Sequence, residues 1–121
     1  MKPFTTQLRR FFLGRSKIET FIGFSIRAGK YRLGVNAVAT LKSAELLIMC
    51  HTASENTVKE IIKLSKKLHS DIIVYKTGNL EDLTGKENCK LMAITDKSLA
   101  KAIIDNLDEN FIKYRMEEKN G

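Results

Sequence analysis

The sequence predicts one α/β domain, a three-layer αβα sandwich in which a central mixed sheet of about four strands carries helices on both faces. Three observations lead there. Short runs that are apolar at every position, Leu46–Cys50, Ile72–Tyr75 and Leu91–Ile94, read as strands buried on both faces. Between them lie segments whose apolar residues recur every three or four positions, the helical period. Strands and helices alternate along the chain, the order of a sheet covered on both sides. The length of 121 residues suits a single domain, and the 43% hydrophobic content supports a core and excludes disorder of the whole chain.

Residues 1–16 hold scattered aromatics (Phe4, Phe11, Phe12), the only proline and no periodicity, and read as a basic N-terminal arm. Ser16-Lys17-Ile18-Glu19 fits a capping box, with Ile18, Phe21, Ile22 and Ile26 on one face of the helix it starts and Gly29 as its stop. An extended piece, Lys30 to Leu33, runs into Gly34. Val35, Val38, Ala39 and Leu41 then form a second, short amphipathic helix. After the strand at Leu46–Cys50, Ser54 is a good N-cap for a helix with Val58, Ile61, Ile62, Ser65 and Leu68 inward and Lys59, Lys63, Lys66 and Lys67 outward. The strand Ile72–Tyr75 leads through the turn Gly78-Asn79 to a brief helix from Leu80 to Thr84, ended by Gly85. Lys86-Glu87-Asn88-Cys89 is a loop before the strand Leu91–Ile94. Asp96 caps the last helix, whose inward positions are Leu99, Ala102, Ile103 and Leu107. The remainder is mostly polar, so the expected division is arm 1–16, domain 17–108 and polar tail 109–121.

Lys and Arg total 21 against 14 acids, a formal charge of +7. Residues 1–42 hold nine of the basic residues against the single acid Glu19, whereas the rest of the chain is nearly balanced. A surplus so placed predicts an asymmetric face for a polyanion; the plainer alternative is a basic arm that aids solubility. Membrane attraction fits less well, because the cations cluster at a tight turn and not along an amphipathic helix. The longest apolar run has five residues, far short of the roughly 20 that span a bilayer. Two cysteines beside apolar runs and no secretory signal point to a reduced, cytoplasmic compartment, although residues Met1 to Lys17 also have the composition of an organelle-targeting segment.

The common enzymatic signatures are absent: the chain has no G-x-x-x-x-G-K-[ST], no G-x-G-x-x-G after a strand and no G-x-S-x-G. His51, His69, Cys50 and Cys89 lack paired metal-ligand spacing. Cys50, inside a buried strand, reads as a small hydrophobe with no reason for a lowered thiol pKa. Neighbouring Glu81 and Asp82 point apart on a short helix. The expectation is a non-enzymatic protein with no cofactor and no metal.

What remains is the cluster Arg27-Ala28-Gly29-Lys30-Tyr31-Arg32-Leu33-Gly34-Val35-Asn36. Arg27, Lys30 and Arg32 surround a helix stop. Gly34 opens the next helix with no side chain to hold a nucleic-acid backbone away from the first free amides, among them that of Val35. Asn36 carries donors and acceptors for a base edge. A tight connection with solvated lysines is the alternative reading of the same spacing.

The strings Phe21-Ile22-Gly23-Phe24-Ser25-Ile26-Arg27-Ala28-Gly29-Lys30, Gly34, Ala53-Ser54-Glu55-Asn56-Thr57, Leu80-Glu81-Asp82-Leu83-Thr84-Gly85-Lys86-Glu87 and Met92-Ala93-Ile94-Thr95-Asp96 together resemble the bacterial, YlxQ-like branch of the kink-turn RNA-binding ribosomal proteins, the large-subunit seven-Ae/thirty-e superfamily. The resemblance covers about residues 17–106. It implies the αβα sandwich and recognition of kink-turn RNA, with tandem sheared G·A pairs and a sharp backbone bend. Gly34 matches the close-approach glycine and Asn36 the asparagine of a G-x-N-E-x-x-K pattern; Lys86, Glu87, Asn88 and Cys89 match the second contact loop. Ala37 and Thr40 depart from the pattern's acid and lysine, and Lys42 lies two residues beyond. The partners implied are structured RNA, ribosomal RNA and the ribosome, for a protein monomeric when free. A protein-interaction or substrate-recruiting module of an RNA-modifying or ribosome-assembly complex is the alternative.

Overall fold

Each predicted strand and helix has a reason for its ends. The computed structural model describes residues 16–114, so the expectations for the arm before Ser16 and for residues 115–121 lie outside the described residues. Helix α1, Lys17–Arg27, starts where the Ser16 hydroxyl accepts the Glu19 amide at 3.2 Å. It stops at Gly29, whose φ of +72° lets the Lys30 amide reach back to the Ser25 carbonyl at 2.9 Å, a Schellman closure. There follow β1 (Tyr31–Leu33), α2 (Val35–Ala39), β2 (Leu46–Cys50), α3 (Glu55–Leu68), β3 (Ile72–Tyr75), α4 (Leu80–Thr84), β4 (Leu91–Ile94), α5 (Lys97–Asp105) and β5 (Phe111–Lys113). Ser54, Asn79 and Asp96 cap α3, α4 and α5 through their side-chain oxygens, as their positions in the sequence predict.

The sheet has five strands in the order β1-β4-β2-β3-β5. β2 and β3 run parallel, and the other three pairings are antiparallel. Because side chains alternate along a strand, β2 sends Leu46, Ile48 and Cys50 to one face and Leu47 and Met49 to the other. The first face packs against Ile18 and Ile22 of α1, Leu80 of α4 and Ala100 and Ile103 of α5. The second packs against Val38 of α2 and Ile61, Leu64 and Leu68 of α3. This is the αβα sandwich, with α1, α4 and α5 in one layer and α2 and α3 in the other.

Two expectations need correction. The polar tail does not begin at 109: residues 111–113 form β5, which pairs with β3, and Phe111 is fully buried with its ring stacked 4.4 Å from that of Tyr75. Three residues paired with β3 and anchored by the buried Phe111 make an edge strand, so the sheet has five strands where about four were expected, and the domain extends past 108. The short helix α2 also ends earlier than its apolar spacing implies. Ala39 is exposed and only Val38 is fully buried.

Candidate nucleic-acid interface

The strand registers divide the sheet into two ends. Gly34 continues the β1 ladder by donating its amide to the Leu91 carbonyl at 2.8 Å, and the Cys50 amide donates to the Lys90 carbonyl at 2.9 Å. The end of β1, the start of α2, the loop before β4 and the carboxyl ends of the parallel strands β2 and β3 therefore share one end of the sheet. At the opposite end Tyr31 and Leu46 both oppose Ile94, and the Lys30 carbonyl accepts the Thr95 amide at 3.1 Å.

Gly34 has φ +92° and ψ +150°, a region open only to glycine, and this lets the chain leave an edge strand and enter α2 at once. With no side chain at the N-cap, the first-turn amides of α2 have no side-chain partner, while the Val38 amide closes the first helical bond onto the Gly34 carbonyl at 3.0 Å. A β-carbon built at Gly34 would lie 3.5 Å from Lys86 Cε, so residues 52 positions apart in sequence meet here. Val35 is half-buried against the α2–α3 layer, and Asn36 is exposed.

The second contact loop comes to the same end. Lys86, Glu87 and Asn88 are exposed. Asn88 adopts the left-handed conformation at φ +59°, tolerated by asparagine, and its amide donates to Glu81 Oε1 at 3.0 Å. Cys89 differs from its neighbours: it is 1% exposed and its thiol donates to the Leu91 carbonyl, so it anchors the loop in the core and presents no side chain to a ligand. Lys90, which the sequence reading passed over, stands beside this loop and donates to Thr52 Oγ1 at 2.7 Å, tying it to the segment after β2. Its position after an anchoring cysteine and before a buried strand was the available signal.

The remaining cations do not gather at Gly34. Arg32 lies on the exposed side of β1 with its guanidinium turned back onto the Tyr31 carbonyl at 2.8 Å. Lys30, four extended residues from Gly34, is about 13 Å away along the strand. Arg27 ends α1 in the opposite helical layer, 5.6 Å over the Phe24 ring, and Lys42 follows α2 toward the far end of the sheet. The sequence cluster is thus spread along the full height of the domain.

Cys50, fully buried at the end of β2, has its Sγ 3.1 Å from Thr52 Oγ1. Burial pushes its thiol pKa up, but hydrogen bonds from the Leu80 backbone and from Thr52, with the charge of Lys90, more than offset that and hold it below the usual value. This shift is not readable from the linear chain, because Leu80 and Lys90 reach Cys50 only through the fold. Among the described residues no three of His, Cys, Asp and Glu are grouped to hold a metal ion, and no helix is long and apolar enough to cross a membrane.

No family model and no curated protein matches the sequence. Among solved structures, the chain is similar to one described as "The structure of a protein with unknown function from Bacillus halodurans C", with a TM-score of 0.64 and 22% identity over 78% of this chain and 100% of that one. At that identity the likeness concerns the fold.

Proposed function

We propose that this protein is a non-enzymatic RNA-binding protein of the cytoplasm, associated with the ribosome or another structured RNA, and that it recognises a kink-turn. The observation that carries the reading is the meeting of Gly34 and Lys86: a glycine-only backbone position opens α2 beside Lys86 of the contact loop, and Asn36 stands exposed in the first turn of that helix. In this reading the Val35 amide at the start of α2 faces a phosphate, the Gly34 amide being taken by the Leu91 carbonyl, and Asn36 hydrogen-bonds a sheared guanine edge. The Lys86–Asn88 loop covers a flipped-out nucleotide, and Lys90 adds charge behind it. Recognition of this kind reads shape and unstacked bases, not a groove code. Arg27, Lys30, Arg32 and Lys42 neutralise flanking backbone at a distance from the bend.

A gel-shift titration against a kink-turn duplex and its G·A-to-A·U variant tests the proposal. Preference for the kink-turn supports it, and equal, weak binding to both refutes it. A second reading, a protein-interaction module, draws on the exposed Ile112 of edge strand β5 and the exposed Phe24. It requires that Asn36→Ala leave RNA affinity unchanged while a partner protein co-purifies.

A further inference from the structure

The fold presents a further group of cations that neither the charge surplus nor the resemblance includes. α2 and α3 lie side by side on one face of the sheet, and both run from the Gly34 end toward the other. Between them is an open cleft of about 460 Å³, with Val35, Asn36 and Ala39 on one wall and Glu60, Lys63 and Lys67 on the other. A second hollow of about 370 Å³, lined by Asn56, Lys59, Glu60 and Lys63, adjoins it across the shared Glu60 and Lys63. Asn36 lines the cleft near the start of α2, and Lys67 closes its other end against Ala39.

Lys59, Lys63 and Lys67 are spaced by four, so they form one line along α3, about 12 Å from first to last. Like charges at that spacing disfavour a helix. Among the described residues no carboxylate lies within ion-pair distance of any of the three. Lys67 has a structural task, donating its ammonium to the Ala39 carbonyl at 2.8 Å at the end of α2. Lys59 and Lys63 have no such partner and stand exposed at the rim.

We propose that the α2–α3 cleft and the hollow adjoining it are a second, sequence-independent RNA contact, in which Lys63 in the cleft and Lys59 in the hollow, one turn nearer the start of α3, hold the phosphate backbone of an RNA arm as it leaves Asn36 across α3. The inference rests on the Gly34 reading for the position of the RNA and goes beyond it in assigning the arm's path. The charge sign selects a polyanion. Continuity with Asn36 selects RNA over an acidic protein segment.

The test is binding of the full chain, followed by fluorescence anisotropy from low to high KCl, to a labelled kink-turn RNA with a long arm and to one with that arm cut back. The variants are Lys59→Gln/Lys63→Gln, which keeps good helix formers, and Glu60→Gln. Each lost phosphate contact lowers the slope of log affinity against log salt by about 0.7–0.9, so the double variant loses about 1.5 units on the long-arm RNA and keeps its preference for the kink-turn over the G·A-to-A·U duplex. On the short-arm RNA wild type and double variant coincide, and Glu60→Gln binds the long arm more tightly than wild type.

A slope unchanged by the double substitution, with kink-turn preference intact in wild type, overturns the cleft contact and leaves the Gly34 reading standing. Absence of kink-turn preference in wild type overturns the Gly34 reading, and the slope difference on the long arm then decides the cleft contact alone. If polyglutamate displaces the long-arm RNA as effectively as unlabelled RNA does, and loses that power with the double variant, the cleft takes an acidic protein and the inference fails.

Discussion

Replacing Gly34 by alanine separates what the backbone costs from what a ligand loses. The structure places Gly34 at φ +92° and ψ +150°, and a β-carbon there would meet Lys86 Cε at 3.5 Å, an ordinary van der Waals contact. Steric clash with neighbours therefore contributes little, and the cost is the conformational strain of an L-residue in glycine territory, about 1–3 kcal/mol. In a domain of about 100 residues each kcal/mol lowers Tm by roughly 4–8 °C, so Gly34→Ala should melt visibly earlier by calorimetry or circular dichroism. Gly29, at φ +72° with nothing within 4 Å of an added β-carbon, is the matched control. Its alanine variant costs a similar 1–2 kcal/mol but lies at the other end of the sheet. Measured at a temperature where both variants are folded, Gly34→Ala loses kink-turn affinity by about tenfold or more, one lost recognition contact of about 1.4 kcal/mol, whereas Gly29→Ala keeps it. A Gly34→Ala protein within 0.3 kcal/mol of wild type would refute the backbone assignment. Equal RNA losses at the two positions would refute the site.

Three further outcomes follow from the packing. Phe111→Ala removes a fully buried ring stacked on Tyr75 and should cost about 3–5 kcal/mol in urea unfolding; a loss below 1 kcal/mol would return β5 to the status of a tail. Ser70 donates its hydroxyl to the Ala44 carbonyl while its own carbonyl accepts the Ser65 hydroxyl at 2.6 Å. Ser70→Ala orphans a buried acceptor at a cost of about 1–3 kcal/mol, and an unchanged unfolding midpoint would show the acceptor satisfied by other means. For Cys50 the folded thiol pKa lies below the unfolded one, so the unfolded chain binds more protons in the window between them and stability rises with pH. The stability gap between wild type and Cys50→Ser should therefore widen as pH climbs toward and past the unfolded thiol value and shrink as pH falls through the folded one. A gap that narrows on raising pH would reverse the assignment.

The fold was legible in the sequence because its signals are local. An apolar run at Leu46–Cys50 can be satisfied only between two layers, and Ser54, Asn79 and Asp96 are caps whose partners lie two or three residues away. Strand β5 was not legible, since its pairing partner is Ile72–Tyr75 and two adjacent apolar residues, Phe111 and Ile112, carry no period. The α3 helix ends without glycine, His69 taking the left-handed position at φ +55°, which composition gives no reason to expect. In the candidate site, Gly34 and Asn36 were found from spacing. The separation of Lys30 and Lys42 from them was not, because nearness along the chain says nothing about which end of a strand a residue occupies. Lys90 was missed, and the outward α3 lysines were left without a role, for the same reason: each acquires its neighbours only through pairing with distant segments.

The hydrogen bond from Gly34 to Leu91 also fixes when the candidate site is assembled. Strand β4 inserts between β1 and β2, and until it does β1 has no partner in the sheet. In a chain emerging from synthesis residue by residue, all the residues of α2, α3, β2 and β3 are present before Leu91 is available. Closing the sheet joins positions some 60 residues apart, the slow, high-contact-order step of folding. On the proposed function, RNA affinity at Gly34 would be a readout of completed folding, and fragments ending before β4 should bind no RNA there however well their helices form.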